Sequence, residues 1–297
     1  MKKVILCLTI IFLSLISFVS CNGLAFTFNY QYADNDKYSI GTTSLDEIEK
    51  IDIDWVCGKV YISSSLHDEN SFFEEYKGDL EDQYKLRYYV EDKTLYIKYA
   101  QSGKYTWNPV EKDLHINFSK EDSLIRDFNI SLISADLFMN GVSVREMDLV
   151  TVSGDIELKN SKISNKIDIE SVSGNVEVEL EQNAEKVIIN TVSGDVKVTS
   201  FLLEKLSINT VSGDVEYFMN KFDTTGPKKL EIETVSGDVN LYLKEATNAT
   251  IDFETTSGMF LCQLDEKLNN GKYVLGNGND LYDIETTSGD FIIKPLN

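Results

Sequence analysis

The chain has 297 residues, of which 42% are hydrophobic, so it holds enough apolar material for one large folded domain or two ordinary ones. Aspartate and glutamate number 49 against 28 lysines and arginines, which gives a formal net charge of −21. A surface this acidic should repel nucleic acid and anionic lipid headgroups, and it better fits solubility, cations or a basic partner.

The first 20 residues have the pattern of a signal peptide. Two lysines precede an apolar run over residues 4–15, and small residues follow before Cys21. The run is shorter than the roughly 20 residues that a membrane-spanning helix needs. We therefore predict export, with a signal peptide over 1–20 and a linker over 21–39. Removal of the signal peptide takes away two lysines and no acids, which leaves a mature charge of −23.

Cys21 is the candidate lipidation site. Residues 18–21 resemble a bacterial lipobox, in which cleavage before the cysteine leaves that cysteine lipid-modified. Ser20 fits the small residue before the cysteine, whereas Phe18 stands where leucine is usual. The predicted location is the cell envelope, with membrane attachment only through this lipid. Ordinary secretion, with Cys21 near the cut, is the alternative.

Residues 40–297 are predicted to form one β-domain with an irregular insertion over 63–130. Two alternating segments of the insertion, 86–90 and 94–99, flank three turn-forming residues, which predicts a β-hairpin near 80–100. The insertion is also rich in aromatic residues, namely Tyr84, Tyr88, Tyr89, Tyr96, Tyr99, Tyr105 and Trp107. These rings could form a binding surface, since aromatic side chains are favoured in recognition, or could simply pack as strand residues.

The segment 131–297 contains regular repeats of the phrase Thr-Val-Ser-Gly-Asp. Its glycines, spaced 19 to 31 residues apart, are Gly154, Gly174, Gly194, Gly213, Gly237, Gly258 and Gly289. Weaker copies surround Gly58 and Ala135, which makes about nine in all. Apolar residues alternate with polar ones on both sides of the glycine, the period of a strand with one buried face.

This pattern predicts an all-β, single-stranded β-solenoid (a β-helix or β-roll) of about nine coils of roughly 20 residues, stacked about 4.8 Å apart. Alternation counted from the inward Ile208 would place Val211 outside, although that position is apolar in most copies. We predict a bulge that turns the valine inward.

The glycine is predicted to supply a positive φ or a close approach between stacked backbones. Ala135 should then be a strained exception. The aspartates that follow the glycines are predicted to cap turn amides with their side chains; they are Asp155, Asp195, Asp214, Asp238 and Asp290. No cofactor is predicted, and calcium held by the stacked carboxylates is the alternative.

The repeated serine is not predicted to be catalytic. A nucleophilic serine needs an activating base, and the two histidines, His67 and His115, lie outside the repeats. The outward acids are spread over every strand without one distinct pair. The sequence therefore predicts a non-enzymatic protein, and a carbohydrate-active β-helix lyase or hydrolase is the alternative.

Cys57 and Cys262 should be free thiols. In a linear stack they lie about seven coils apart, or roughly 33 Å, whereas a disulfide needs Cα atoms within about 7 Å. The glycine-rich segment 269–279 lacks the lysine and spacing of a phosphate-binding loop, and it is predicted to be a capping or connecting loop.

The repeated phrase, the segment Tyr-Val-Leu-Gly-Asn-Gly at 273–278 and the closing stretch 284–293 together resemble the bacterial putative-adhesin family of β-strand-repeat proteins, a domain-of-unknown-function family. The resemblance covers residues 40–297, and the departures are Cys57 for serine, Ala135 for glycine and Met259 for aspartate. It implies a β-solenoid at the cell envelope. Export, the repeats and the lack of a distinct reactive group then predict a role in adhesion, scaffolding or envelope sensing. The partner would be an unknown envelope protein or glycan.

Overall fold

The computed structural model describes residues 28–64, 70–106, 109–119, 126–220 and 226–296. The predicted signal peptide, Cys21, His67 and Trp107 lie outside these residues. The all-β prediction is confirmed: the described residues contain strands and two short 3₁₀ turns, Asn35–Lys37 and Asp82–Tyr84, but no α-helix. Accordingly, no helix within the described ranges is long and apolar enough to cross a membrane.

The strands, in chain order, are β1 (Phe28–Tyr30), β2 (Ser39–Ile40), β3 (Lys50–Ser64), β4 (Ser71–Glu75), β5 (Arg87–Glu91), β6 (Thr94–Lys98), β7 (Lys104–Thr106), β8 (Asp113–Phe118), β9 (Arg126–Asn140), β10 (Ser143–Ser153), β11 (Ile156–Ser173), β12 (Val176–Leu180), β13 (Ala184–Ser193), β14 (Val196–Ser200), β15 (Leu203–Ser212), β16 (Val215–Met219), β17 (Lys229–Ser236), β18 (Val239–Leu243), β19 (Ala249–Ser257), β20 (Phe260–Cys262), β21 (Glu266–Asn269), β22 (Lys272–Leu275), β23 (Asp280–Ser288) and β24 (Phe291–Pro295).

Each repeat forms one coil, which consists of a strand, the turn at its glycine and a second strand. The strands before the glycine pair in parallel with one another and form the pre-glycine ladder, which runs β6, β3, β9, β10, β11, β13, β15, β17, β23, β19. The strands after it form the post-glycine ladder, which runs β8, β3, β9, β11, β12, β14, β16, β18, β24, β20. Both ladders are open at their ends.

The coils stack in register, so equivalent residues lie directly above one another. Ile189 pairs with Ile208, and Ile208 pairs with Ile232. All three side chains are fully buried in a single core that receives residues from both ladders. Burying one such side chain contributes about 1.5–3 kcal/mol, and since one coil cannot cover its own apolar edge, the stack is the stable unit.

The coils form a linear stack as predicted, but at both ends their order along the stack differs from their order along the chain. Strand β23 lies between β17 and β19, which places the coil of Gly289 between those of Gly237 and Gly258. At the other end, β3 lies between β9 and the level formed by β6 and β8. In these positions β23 and β3 satisfy the backbone groups of both their edges.

The level formed by β6 and β8 comes from the segment expected to be irregular. It carries no Ser-Gly-Asp phrase, since Lys112 and Asp113 stand where other coils have glycine and aspartate. The predicted count of about nine coils is therefore not confirmed.

Antiparallel strands cover the N-terminal end of the stack. The predicted hairpin is confirmed: β5 pairs antiparallel with β6 through a turn in which Asp92 (φ 48°) and Lys93 (φ 59°) are both left-handed. Strand β2 adds to β5, and β4 adds to β8. A separate pair is formed by β1 and β7.

The other end carries a second hairpin, β21 and β22, whose turn is Asn270–Gly271. Part of the segment predicted to be a loop is therefore strand. Strand β22 pairs with β19, but only along residues 249–251. The asparagine–glycine turn with two positive φ angles matches the right-handed twist of a two-residue hairpin.

The buried residue of the repeated phrase is the threonine, so the predicted inward valine is wrong. Thr191 and Thr210 are fully buried, whereas Val192 and Val211 are half-buried. In the pre-glycine ladder Thr210 pairs with Thr234 and Ser212 pairs with Ser236, so the register passes over Val211 between them. The simple two-residue period therefore extends through the threonine, and no bulge turns the valine inward.

Candidate functional site

The motif glycines form a column in which successive backbones touch. A Cβ atom on Gly174 would lie 2.1 Å from the carbonyl oxygen of Gly154, and one on Gly194 would lie 2.2 Å from that of Gly174. The same approach, 2.0–2.2 Å, occurs at every predicted glycine: Gly154, Gly174, Gly194, Gly213, Gly237, Gly258 and Gly289. Gly174 also has a φ of 113°, in the left-handed region. A side chain at any of these glycines is thus excluded by lack of space.

Ala135, expected to be strained, is not. Its φ lies outside the positive region, and it stacks on Gly58 within the continuous pairing of β3 and β9. The Cβ of Ala135 is tolerated because its own backbone is extended. Its carbonyl oxygen still meets the next glycine, Gly154, as the other members of the column do.

The predicted aspartates form a second column beside the glycines, and each carboxylate caps an amide of the neighbouring coil. Asp195 Oδ1 accepts a hydrogen bond from the Asp214 N–H at 2.9 Å, and Asn175 Oδ1 accepts one from the Asp195 N–H at 3.0 Å. Asp155, Asp214, Asp238 and Asp290 accept equivalent bonds from Asn175, Asp238, Asp290 and Met259. One oxygen of each carboxylate is therefore committed to joining two coils.

The aspartate column predicts how strongly different substitutions of Asp195 should destabilise the fold. Asp195→Ala should destabilise the fold by about 1 kcal/mol, because it leaves the Asp214 amide without its acceptor. Asp195→Asn should cost little, since an amide oxygen does the same at Asn175. Urea unfolding of the two purified variants checks the ranking.

The parent and Asp195→Asn together also test the calcium alternative. If the column only caps amides, chelator should leave the melting temperature of the parent and of Asp195→Asn unchanged. A melting temperature that rises with calcium in the parent, and less in Asp195→Asn, would instead show that the free carboxylate oxygens hold the ion. The described residues contain no group of three or more His, Cys, Asp or Glu side chains arranged to hold a metal.

The hydroxyl groups of the repeated phrase also bond within the stack. Ser173 Oγ donates to the Val152 carbonyl of the preceding coil at 3.3 Å, and Ser171 Oγ donates to the Ser173 carbonyl at 3.2 Å. His115, the histidine within the described residues, lies between the rings of Phe73 and Tyr61 and does not contact a motif serine. In these coils the serine is a stacking residue.

A shallow depression of about 440 Å³ follows the aspartate column across three coils. Its polar lining consists of Asn175, Glu177, Asp195, Lys197, Asp214 and Glu216. Lys197 donates to Glu177 at 2.7 Å, and this bond lowers the pKa of the Glu177 carboxyl. Carboxylates outnumber the single lysine, so this surface suits a cationic group.

A family model described as Toastrack DUF4097 matches residues 48–294. The chain belongs to this family. The match covers nearly every coil of the stack, which confirms the resemblance inferred from the repeats.

Solved structures similar to this Toastrack chain include two from bacteria. A putative cell adhesion protein from Clostridium sporogenes ATCC 15579 is 16% identical with a TM-score of 0.32, over 87% of this chain and 99% of that one. A putative adhesin from Bacteroides fragilis NCTC 9343 is 14% identical with a TM-score of 0.43, over 87% and 97%. No curated protein matches the chain at a significant level.

The predicted aromatic set of the Toastrack chain divides into packed and exposed rings. Tyr99 is 3% exposed and donates to the Val110 carbonyl, while Tyr88 packs edge-on against Phe72. Tyr89 and Tyr96 stack at 4.6 Å and are partly exposed. Sequence reasoning missed the partners that the N-terminal segment supplies: Tyr38 meets Tyr89 at 4.6 Å and Tyr32 meets Tyr38 at 4.9 Å.

A second aromatic row, also missed, lies on the outer side of the post-glycine ladder. Phe73, His115, Tyr61 and Phe138 stack in that order with ring centroids 4.8, 4.9 and 5.3 Å apart. Equivalent outward positions on paired strands produce this row, a signal that only the strand order reveals. Each inner ring covers its neighbour's face, so the row offers mainly ring edges and the exposed Phe73 to a partner.

The N-terminal end also contains a buried ion pair. The side chain of Lys112 is fully buried and its ammonium donates to Glu74 Oε2, which is itself 12% exposed. The same ammonium donates to the carbonyls of Tyr84 and Tyr99 and lies 5.0 Å from the centre of the Trp55 ring. All three hydrogen-bond partners of the ammonium belong to the protein, so the lysine ties β4 and the segment around Tyr84 to the level formed by β6 and β8.

As predicted, the two internal cysteines are free thiols, and both are half-buried. Burial raises the pKa of both thiols. A raised pKa reduces the thiolate fraction at neutral pH, so neither Cys57 nor Cys262 has the properties of a reactive nucleophile.

Proposed function

We propose that this Toastrack protein is exported and acts without catalysis as a binding or scaffold module of the cell envelope, held there by a lipid on Cys21. Its role would be adhesion, scaffolding or envelope sensing, and its partner an envelope protein or glycan. The observation that supports this most is the use of the repeated Ser-Gly-Asp phrase: its amides, carboxylates and hydroxyls bond one coil to the next.

The exposed features also suit binding. The coils give a stiff frame on which outward side chains recur at fixed spacing, as they do along the aromatic row and along the depression beside the aspartates. Aromatic edges and carboxylates held in this way offer contact area at little cost in conformational entropy.

The anchor is tested at the mature N-terminus. Expressed in a bacterium with lipoprotein processing, the full-length protein should fractionate with membranes and begin at Cys21. Mass spectrometry should find diacylglyceryl on that sulfur. Cys21→Ser should abolish the lipid and the membrane attachment while leaving the fold unchanged, because the coils begin well beyond this residue.

Two results would contradict the proposal. A mature protein cut near residue 21 without lipid would overturn the anchor, and a cytosolic protein retaining Met1 would overturn export. Turnover of an envelope polysaccharide by the purified protein would favour the carbohydrate-active enzyme over a binding module.

A further inference from the structure

The two ends of the stack are covered by antiparallel strands to different extents. At the N-terminal end, antiparallel strands pair with the outer edges of both ladders, β5 on β6 and β4 on β8. At the C-terminal end, β22 covers β19 only along residues 249–251. Among the described residues no strand pairs with the outer side of residues 252–262, which we name the terminal edge.

Exposure of the terminal edge shows that it is uncovered. Thr255 is exposed, although the equivalent Thr210 and Thr286 are 0% and 2% exposed. Met259 and Leu261 are 70% and 51% exposed. The threonine position, which the interior coils bury, is therefore open to solvent in the last coil, and Met259 and Leu261 add exposed apolar side chains beside it.

Backbone groups of the terminal edge are also directed outward. The Met259 carbonyl accepts from Phe291 N–H, and Gln263 N–H donates to the Ile293 carbonyl, both at 2.9 Å. Because alternate residues of a strand point to opposite sides, the N–H and C=O groups of Phe260 and Cys262 face away from β24. A row of such groups is a template for one more strand.

A further coil of the repeat type does not suit this edge. Each coil caps the next through its aspartate, and the last coil has Met259 in that place, so it offers no carboxylate to a following amide. Two copies meeting edge to edge would also bring carboxylates together, because Glu254 and Glu266 are exposed at this end. Like charges brought into contact cost free energy.

We propose that the terminal edge binds an extended segment of a partner protein in which apolar and basic residues alternate. The segment adds a strand to the sheet by main-chain hydrogen bonds. Its apolar side chains cover Met259 and Leu261, and its lysines or arginines meet the exposed carboxylate of Glu254, since Asp252 is already paired with Lys272. This inference rests on the proposed function only in requiring a binding role, and it is independent of the location of the protein.

The probe is a fluorescent, end-blocked eight-residue peptide of alternating valine and lysine, added to the purified mature chain at 150 mM salt. Fluorescence anisotropy should show saturable binding. The same peptide N-methylated at alternate residues should bind at least about tenfold more weakly, because it cannot complete the strand hydrogen bonds. The valine–glutamate peptide should also fail to bind.

Two matched variants test whether the peptide binds at the terminal edge. Leu261→Lys adds a charge to the terminal edge and should weaken binding at least about tenfold, while Val150→Lys, at a residue 46% exposed in mid-stack, should leave it unchanged. Both side chains are at the surface, and equal melting temperatures would verify that both variants fold.

Equal binding of the plain and N-methylated peptides, or equal loss in the two variants, would overturn the proposal in favour of diffuse attraction to an acidic surface. A dimer in sedimentation that Leu261→Lys dissociates would also overturn it, since a second copy would then occupy the edge. Failure of lipidation or export leaves these binding results unchanged, so the two proposals fail separately.

Discussion

Gly174→Ala should lower the free energy of unfolding by about 2–5 kcal/mol, which is roughly 4–20 °C in melting temperature. Two costs add at this position. A left-handed backbone costs alanine about 1–2 kcal/mol, and a Cβ placed 2.1 Å from the Gly154 carbonyl oxygen forces two coils apart at an overpacking cost of about 1–3 kcal/mol or more. Thermal and urea unfolding of the purified variant measure the sum.

Gly41→Ala is the matched control for this experiment. Gly41 has a φ of 112°, almost equal to the 113° of Gly174, but a Cβ there would meet no atom within 4 Å. Its variant should therefore lose only the conformational part, about 1–2 kcal/mol. Equal losses in the two variants would mean that the close approach of the coils does not limit stability.

The repeated architecture could be predicted because each coil mostly repeats the same nearest-neighbour contacts. The period of the phrase gave parallel strands in register, and the glycine spacing gave the turns. The threonine shows where a hydrophobicity argument failed. Counting from Ile208 with a period of two places Thr210 inside, as observed, whereas the apolar character of Val211 suggested a bulge that is absent.

The order of coils at the two ends could not be predicted from the period. Strand β23 joins β17 across 52 residues, with Ser236 paired to Ser288, and nothing in the phrase itself specifies that long-range pairing. One residue held a usable signal. Met259 replaces the aspartate that would cap a following coil, which indicates that the coil of Gly258 is the last in the stack.

The level formed by β6 and β8 was also beyond the repeat pattern, because a lysine takes the place of the glycine there. Lysine is normally assigned to the surface, and only the contacts of Glu74, Tyr84 and Tyr99 explain how Lys112 is buried. These partners lie 13 to 38 residues away along the chain, in segments that no local pattern connects.

Lys112→Met should destabilise the N-terminal end by about 3–5 kcal/mol at pH 7, because it leaves the Glu74 carboxylate largely buried without its cation and removes the donor from two carbonyls. Chemical denaturation followed by the fluorescence of the adjacent Trp55 would report the loss.

The double variant Lys112→Met/Glu74→Gln should recover part of the lost stability, because the glutamine is neutral and can still accept from the Leu86 N–H. No recovery would mean that the packing of the lysine chain, and not its charge pair, holds this end.

The pH dependence of the unfolding free energy separates the contribution of the Lys112 charge from that of its packing. Burial lowers the pKa of Lys112 to about 8, whereas an unfolded lysine titrates near 10.4. Between these values the unfolded chain binds more protons than the folded one, so the stability that this residue contributes rises as the pH increases through the window. The difference in unfolding free energy between the parent and Lys112→Met should accordingly grow from pH 7 to pH 9.5. A constant difference would show that Lys112 titrates in the folded protein as it does in the unfolded chain. The carboxylate of Glu74 and the surrounding rings would then offset the cost of desolvation completely.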